Sequence, residues 1–246
     1  MKTGFLLFLC LVCAPLWGFA QQDGSAGNYD TTEIQRFFVP DYDQIGKVIR
    51  DKKSPYYYPK LVKKLANADT TMTIEDLHYL YYGYVLQDDY DPYINLDEEN
   101  RAHSILNKDY VSVKNAQKAL KLLNKAIKKS PTHVRLYFYR YVANTIVYGE
   151  NSKQAQDDLF RYIALISAIA ASGDGMDFET AFHVAIVSHS YSLMSCYGLR
   201  SLQQSLQSSD DQMFDVFKLD VNDEGIESLY VNVTPCLNYL SKQFGD

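Results

Sequence analysis

Apolar positions recur every three or four residues from about residue 41 to 197 and every second residue beyond 213. The chain therefore reads as a succession of helices closed by a β-hairpin. Asp41 is placed to cap a short helix carrying Ile45, Val48 and Ile49, which Ser54-Pro55 stops. A second helix follows Pro59, with Leu61, Val62 and Leu65 on one side and Lys60, Lys63 and Lys64 on the other. Thr73 and Asp76 are spaced as a capping box, so a third helix is expected to begin at Ile74. On its wheel Ile74, Leu77, Tyr81, Tyr84 and Val85 share one face, while Tyr79 and Tyr82 point elsewhere, toward water. Gly83 inside that helix costs about 1 kcal/mol relative to Ala, which close approach of another backbone would offset.

After Gln87 the chain turns acidic, with Asp88, Asp89, Asp91, Asp97, Glu98 and Glu99 around Pro92, and a long loop is expected. Residues 111–130 form the clearest amphipathic helix, with Val113, Ala116, Leu120, Leu123 and Ile127 on one side and lysines over much of the rest. Three further helices are expected over 134–148, 155–171 and 180–197, each apolar around most of its circumference and therefore covered by neighbours. Gly149, Gly173 and Gly198 follow their ends. Beyond the polar run 201–212, Phe217, Leu219 and Val221 alternate with polar residues. Leu229, Val231 and Val233 do the same across the turn-rich 222–225. Thr234-Pro235 opens a last helix bearing Leu237, Leu240 and Phe244. The expected fold is thus mainly α, built of packed antiparallel helix pairs and closed by a C-terminal β-hairpin and final helix.

The N-terminus changes the picture of where the protein works. Lys2, the apolar run 5–19 and the small-residue pattern Gly18-Phe19-Ala20 read as a secretory signal peptide over 1–20, cleaved before Gln21. Cys10 and Cys13 sit inside the apolar core after Leu9 and Val12, so they do not resemble a lipidation site, and Pro15 interrupts a membrane anchor. Residues 21–38 are polar and read as a flexible leader, and 39–246 as one mostly helical domain with 213–246 as an appendage. An exported, periplasmic or envelope-associated protein follows. With that leader removed Cys196 and Cys236 remain; two cysteines forty residues apart form no disulfide framework, and buried thiols are expected. The net charge of −6 excludes a general attraction to nucleic acid or anionic membrane, and no later apolar run is long enough to span a bilayer.

Two resemblances emerge. Ala116, Ala119, Leu123, Ala126 and Pro131 have the spacing of the second helix of a tetratricopeptide repeat, with Tyr137 where the next repeat places an aromatic. Arg140, Tyr141 and Asn144 then depart from the motif, so one irregular hairpin is implied. Pro40-Asp41-Tyr42, SPYYYPKLVKKL at 54–65, DTTMTIEDLHYLYYGYVLQ at 69–87, Tyr90-Asp91-Pro92-Tyr93 and SLYVNV at 228–233 together resemble the domain-of-unknown-function family 4919 of secreted bacterial proteins. That resemblance implies export in a Gram-negative bacterium and a single helical domain, and supplies no activity.

Candidate chemistry is sparse. No His, Cys or carboxylate spacing suits a metal, and no cofactor motif is present. His183 and His189, on one predicted helix, would lie about 240° apart. There is no Gly-x-Ser-x-Gly elbow and no phosphate-binding glycine loop. The tyrosines of 73–93 remain. Tyr79, Tyr82, Tyr90 and Tyr93, with Asp88 and Asp91, form the candidate binding surface, since tyrosine offers rigid amphipathic contact area to a protein or glycan partner. An exported, non-enzymatic binding protein of the envelope is the leading expectation. The alternative is an envelope hydrolase whose Asp88, Asp91, His78 and His103 converge in three dimensions.

Overall fold

A computed structural model of the chain describes residues 37–245. The leader 1–20 and the polar segment as far as residue 36 lie outside the described residues. Nine α-helices and a four-stranded sheet are found among the described residues.

Local signals start the first three helices. Helix α1 spans Tyr42–Arg50, and Asp41 Oδ1 accepts from the N–H groups of Asp43 and Gln44 at 3.0 Å each. Helix α2, Tyr58–Ala66, carries Pro59 in its first turn and buries Leu61 and Leu65. Helix α3, Ile74–Gly83, opens with a reciprocal box. The Asp76 N–H donates to Thr73 Oγ1 at 3.1 Å, and the Thr73 N–H donates to Asp76 Oδ2 at 3.1 Å. It ends in a 3₁₀ turn, Tyr84–Leu86.

Helix α3 is the axis of the main core. Every residue from Asp76 to Gly83 is buried, because α1, α2 and the later helix α7 (Lys153–Ala170) cover it. This corrects the expectation that Tyr79 and Tyr82 face water: the wheel supposes one wet side, and from Asp76 onward this helix has none. The close approach at Gly83 is made by side chains rather than backbone. A Cβ there would meet Tyr58 Cδ2 at 3.1 Å and Ile49 Cδ1 at 3.2 Å.

Helix α4, Asp97–Leu106, occupies the end of the stretch expected to be loop. Its first turn, Asp97, Glu98 and Glu99, is acidic, which suits the positive end of the helix dipole, but it carries few apolar residues to announce itself. Helices α5 (Val113–Lys129), α6 (Val134–Tyr148) and α7 (Lys153–Ala170) follow, each packing on the next. Leu96, Ala102, Ala119, Leu123, Ala126, Leu136 and Ala143 make a second, small-residue core under α4 to α6.

The expected helix over 180–197 forms only in its second half. Phe182–His183 is strand β1, and helix α8 runs over His189–Cys196. The preceding turn explains why. Asp174 and Gly175 N–H both donate to Thr180 O, and Gly173 is packed so closely that a Cβ would lie 2.2 Å from that same oxygen. The Thr180 carbonyl is thus committed before a helix can start.

Strands β2 (Ser201–Ser209), β3 (Gln212–Leu219) and β4 (Ser228–Asn232) complete a sheet of order β1-β4-β3-β2. The expected hairpin is the antiparallel β3–β4 pair, with Phe217 opposite Leu229. The polar run before it is itself a strand, joined to β3 through Asp210 and Asp211 at φ +48° and +60°, as a two-residue hairpin turn requires. Strand β1 is parallel to β4, with Phe182 opposite Val231. Phe217, Leu229, Val231 and Cys236 belong to the same buried cluster as Tyr81 and Leu165, so sheet and helices share one core. Helix α9, Thr234–Phe244, closes the chain. Cys196 and Cys236 are buried thiols with no disulfide between them. No helix among the described residues is long and apolar enough to cross a membrane.

Candidate functional site

A cavity of about 880 Å³ lies where α9, the sheet and the start of α1 face one another. Five separate segments line it. Val39, Pro40 and Tyr42 lead into α1, and Val85, Leu86 and Tyr90 follow α3. Asp177, Phe178, Glu179 and His183 come from the turn before and into β1. The β2–β3 hairpin contributes Asp210, Gln212 and Phe214, and the end of β4 with α9 contributes Asn232, Asn238, Tyr239 and Lys242. A pocket of that size with aromatic walls and a few polar groups has the composition of a small-ligand site.

Its aromatic residues are held by one another. Tyr90 packs edge-on against Tyr239 at 5.6 Å between ring centroids and against Tyr84 at 5.3 Å. Phe178 packs edge-on against Phe214 at 5.0 Å and Tyr230 at 4.9 Å. The Tyr90 hydroxyl donates to Cys236 Sγ at 3.9 Å, and that thiol donates to Val184 O at 3.7 Å. Burial pushes the Cys236 thiol up to about 12, so it is neutral and inert as a nucleophile. Tyr42 lines the cavity with its ring, and its buried hydroxyl has no hydrogen-bond partner among the described residues. Burial also raises its phenol well above the usual range.

The polar groups are fixed by local chain geometry. Thr180 donates to Asp177 Oδ1 through its N–H at 2.8 Å and its hydroxyl at 3.0 Å, and these bonds hold the Asp177 carboxyl below the usual range. Asn232 accepts from the Thr234 N–H at 3.0 Å and donates its amide to Gln212 Oε1. His183 is pulled down to about 4, first by burial and then by His78, so it is neutral at pH 7. The site therefore offers aromatic rings, amides, carboxylates and a neutral imidazole. Among the described residues no three His, Cys, Asp or Glu side chains form a group able to hold a metal.

Of the expected surface residues, only Tyr90 lines this cavity. Tyr79 is buried and stacks on Tyr56 at 4.5 Å, while Tyr82 is fully buried and donates its hydroxyl to His183 O at 3.0 Å. Tyr93 is 41 % exposed, and Asp91 Oδ1 accepts from its N–H at 2.9 Å. Asp88 is exposed beside them. The four residues of the hydrolase reading do not line the cavity. His78 is buried against Phe38 and Tyr82, whereas His103 lies on α4 against Tyr139.

A line of polar side chains through the core was not apparent from the sequence. The Val134 N–H donates to His189 Nε2 at 3.2 Å, which leaves the ring proton on Nδ1, 2.7 Å from the Tyr81 hydroxyl. That hydroxyl also accepts from the Ala185 N–H at 3.2 Å. His133 Nδ1 lies 3.3 Å from His189 Nε2, and its Nε2 lies 3.3 Å from Glu99 Oε2. Arg135 donates to the other Glu99 oxygen at 2.7 Å. The line ties α3, α4, α6 and α8 together away from the cavity. Its only sequence signal was polar residues inside otherwise apolar stretches.

A family model described as a domain of unknown function, DUF4919, matches residues 43–242. The chain belongs to the DUF4919 family. No curated protein and no solved structure matches it. The cavity is built almost wholly from residues inside the matched DUF4919 segment; Val39, Pro40 and Tyr42 precede it.

Proposed function

We propose that this DUF4919 protein is an exported, non-enzymatic binding protein of the bacterial cell envelope, and that the aromatic cavity takes a neutral ring-shaped ligand of the glycan class. The observation that carries this reading is the pairing of Tyr42, Tyr90, Phe178 and Tyr239 with the amides of Gln212, Asn232 and Asn238 in one cavity. Aromatic rings bury the C–H face of a sugar, while amide and carboxylate groups meet its hydroxyls. The export part rests on the leader 1–20, and the α5–α6 pair is taken as a divergent tetratricopeptide-like hairpin.

Two measurements test the proposal. N-terminal sequencing of protein recovered from the periplasm is expected to begin at Gln21; recovery in the cytoplasm with Met1 intact would remove the envelope assignment. Titration calorimetry of the mature chain against a panel of neutral oligosaccharides is expected to find binding that Tyr90→Ala and Tyr239→Ala each weaken by about tenfold, as loss of a packed aromatic contact does. Circular dichroism controls for folding. Binding unchanged in both folded variants would move the site elsewhere, and no binding by any member of the panel would end the glycan reading.

A further inference from the structure

A second concavity, of about 730 Å³, lies between α5, α6 and α7, away from the aromatic cavity and independent of the reading above. Its charge sets it apart. Lys114, Lys118, Lys121, Arg140 and Arg161 line it against two carboxylates, Asp157 and Asp158, on a chain whose net charge is −6. Both carboxylates are already engaged. Lys153 holds Asp157 at 2.7 Å, and Asp158 accepts from Arg140, Arg161 and Asn144. The three lysines have no ion pair among the described residues. A groove with a satisfied floor and an uncompensated cationic wall attracts an anion.

The arrangement selects the kind of anion. Phosphate groups are read best by a bidentate guanidinium fork. Here both forks are consumed: Arg140 by Asp158 and Asn124, Arg161 by Asp158 and the carbonyls of Leu65 and Ala66. What remains is a row of point charges. Lys114 and Lys118 are four residues apart on one helix, a rise of about 6 Å. Alternate side chains of an extended peptide are separated by about 6.6 Å and share one face. Gln117, Asn124 and Gln154 add side-chain amides to the walls, suited to peptide N–H and C=O groups, and exposed Tyr148 stands at the end of α6. We propose that this groove binds an extended acidic peptide segment, with alternate carboxylates on the lysine row of α5.

Fluorescence anisotropy of the mature chain with a labelled pentapeptide, Glu-Ser-Glu-Ser-Glu, whose three carboxylates match the length of the row from Lys114 to Lys121, tests this. Binding is expected, with none for the Gln–Ser counterpart, and it should weaken several-fold between 50 and 300 mM NaCl, as screening of such contacts requires. Lys118→Glu with Lys121→Glu is expected to weaken it at least about tenfold, since two exposed attractions become repulsions. Lys125→Glu with Lys128→Glu changes the net charge equally on exposed positions of the same helix outside the groove. That pair is expected to leave binding within about twofold. Equal loss in the two double variants, absence of binding, or tighter binding of inorganic polyphosphate or a single-stranded oligonucleotide would each overturn the proposal.

Discussion

The denaturation midpoint of the protein is expected to fall steeply as the pH drops below about 6.5, the ordinary pKa of histidine. Three histidines are held neutral by burial. His183 is pulled down to about 4 by burial and then by His78. His189 is pushed well below the usual value by burial, then by His133 and Arg135. His78 is lowered chiefly by burial, against the opposing influence of Glu75. Above pH 6.5 both folded and unfolded states leave these rings neutral, so they contribute no pH dependence. Below it the unfolded chain binds protons that the native state refuses. Stability then falls by about 1.4 kcal/mol per pH unit for each ring that stays neutral, until the native value is reached. For His183 alone the loss from pH 6.5 to 4 is about 3 kcal/mol, a large part of the 5–15 kcal/mol typical of a folded protein.

Glu99 extends the acid limb. Burial works to raise its carboxyl, but the neighbouring His133, followed by Arg135, holds it below the usual range. Its contribution is present above the unfolded carboxylate value of about 4.3 and is lost as the pH falls through its lower folded value. Urea titrations from pH 7 to 3 measure the combined effect, the histidine part above about pH 4.5 and the Glu99 part below it, and His183→Gln should flatten the slope by about one proton above pH 4.5. A midpoint that is level from pH 7 to 5 would contradict the neutral, buried state of these rings.

Features that depend on neighbours in sequence were legible before the fold was known. Asp41 and the Thr73–Asp76 box act within four residues, and both cap as expected. Features imposed from a distance were not. Strand β2 consists largely of Gln and Ser and has little strand character of its own; pairing with β3 holds it extended, and Leu202 and Leu206 stay exposed. Strand β1 depends on β4, some fifty residues later, and on the close turn at Gly173. The candidate site suffered most from this. Tyr90 belongs to the tyrosine-rich stretch that stands out in the sequence, but Asp177, Phe178 and Tyr239, which line the same cavity, come from segments that nothing local connects to it. Tyr79 and Tyr82 were misplaced because the helix period records which residues are alike, whereas the number of covering helices decides which are wet.

The buried ion network under α7 carries the other large expected effect: Asp158→Ala should cost about 3–5 kcal/mol of stability. Asp158 is 1 % exposed and accepts from Arg140 Nε at 2.8 Å, Arg161 Nη1 at 2.7 Å and Asn144 Nδ2 at 2.8 Å. Arg161 is itself buried and donates to Leu65 O at 2.9 Å and Ala66 O at 2.7 Å, closing the carbonyl end of α2. Removing the carboxylate leaves that guanidinium without a counter-charge in the core and frees Arg140 from its fork. The penalty is therefore the desolvation of stranded partners rather than the worth of one contact. Two companions separate this cause from general damage to α7. Lys153→Ala breaks an exposed pair with Asp157 on the same helix and should stay within about 0.5 kcal/mol. Asp158→Ala combined with Arg161→Met removes the stranded charge together with its partner and should recover part of the loss, because an apolar side chain of similar length needs no counter-ion. Guanidinium titrations of the parent protein, of these three variants and of Arg161→Met alone measure all these differences. If the double variant is as unstable as the sum of its two single changes, the coupling is absent and the network is not what binds α7 to α2.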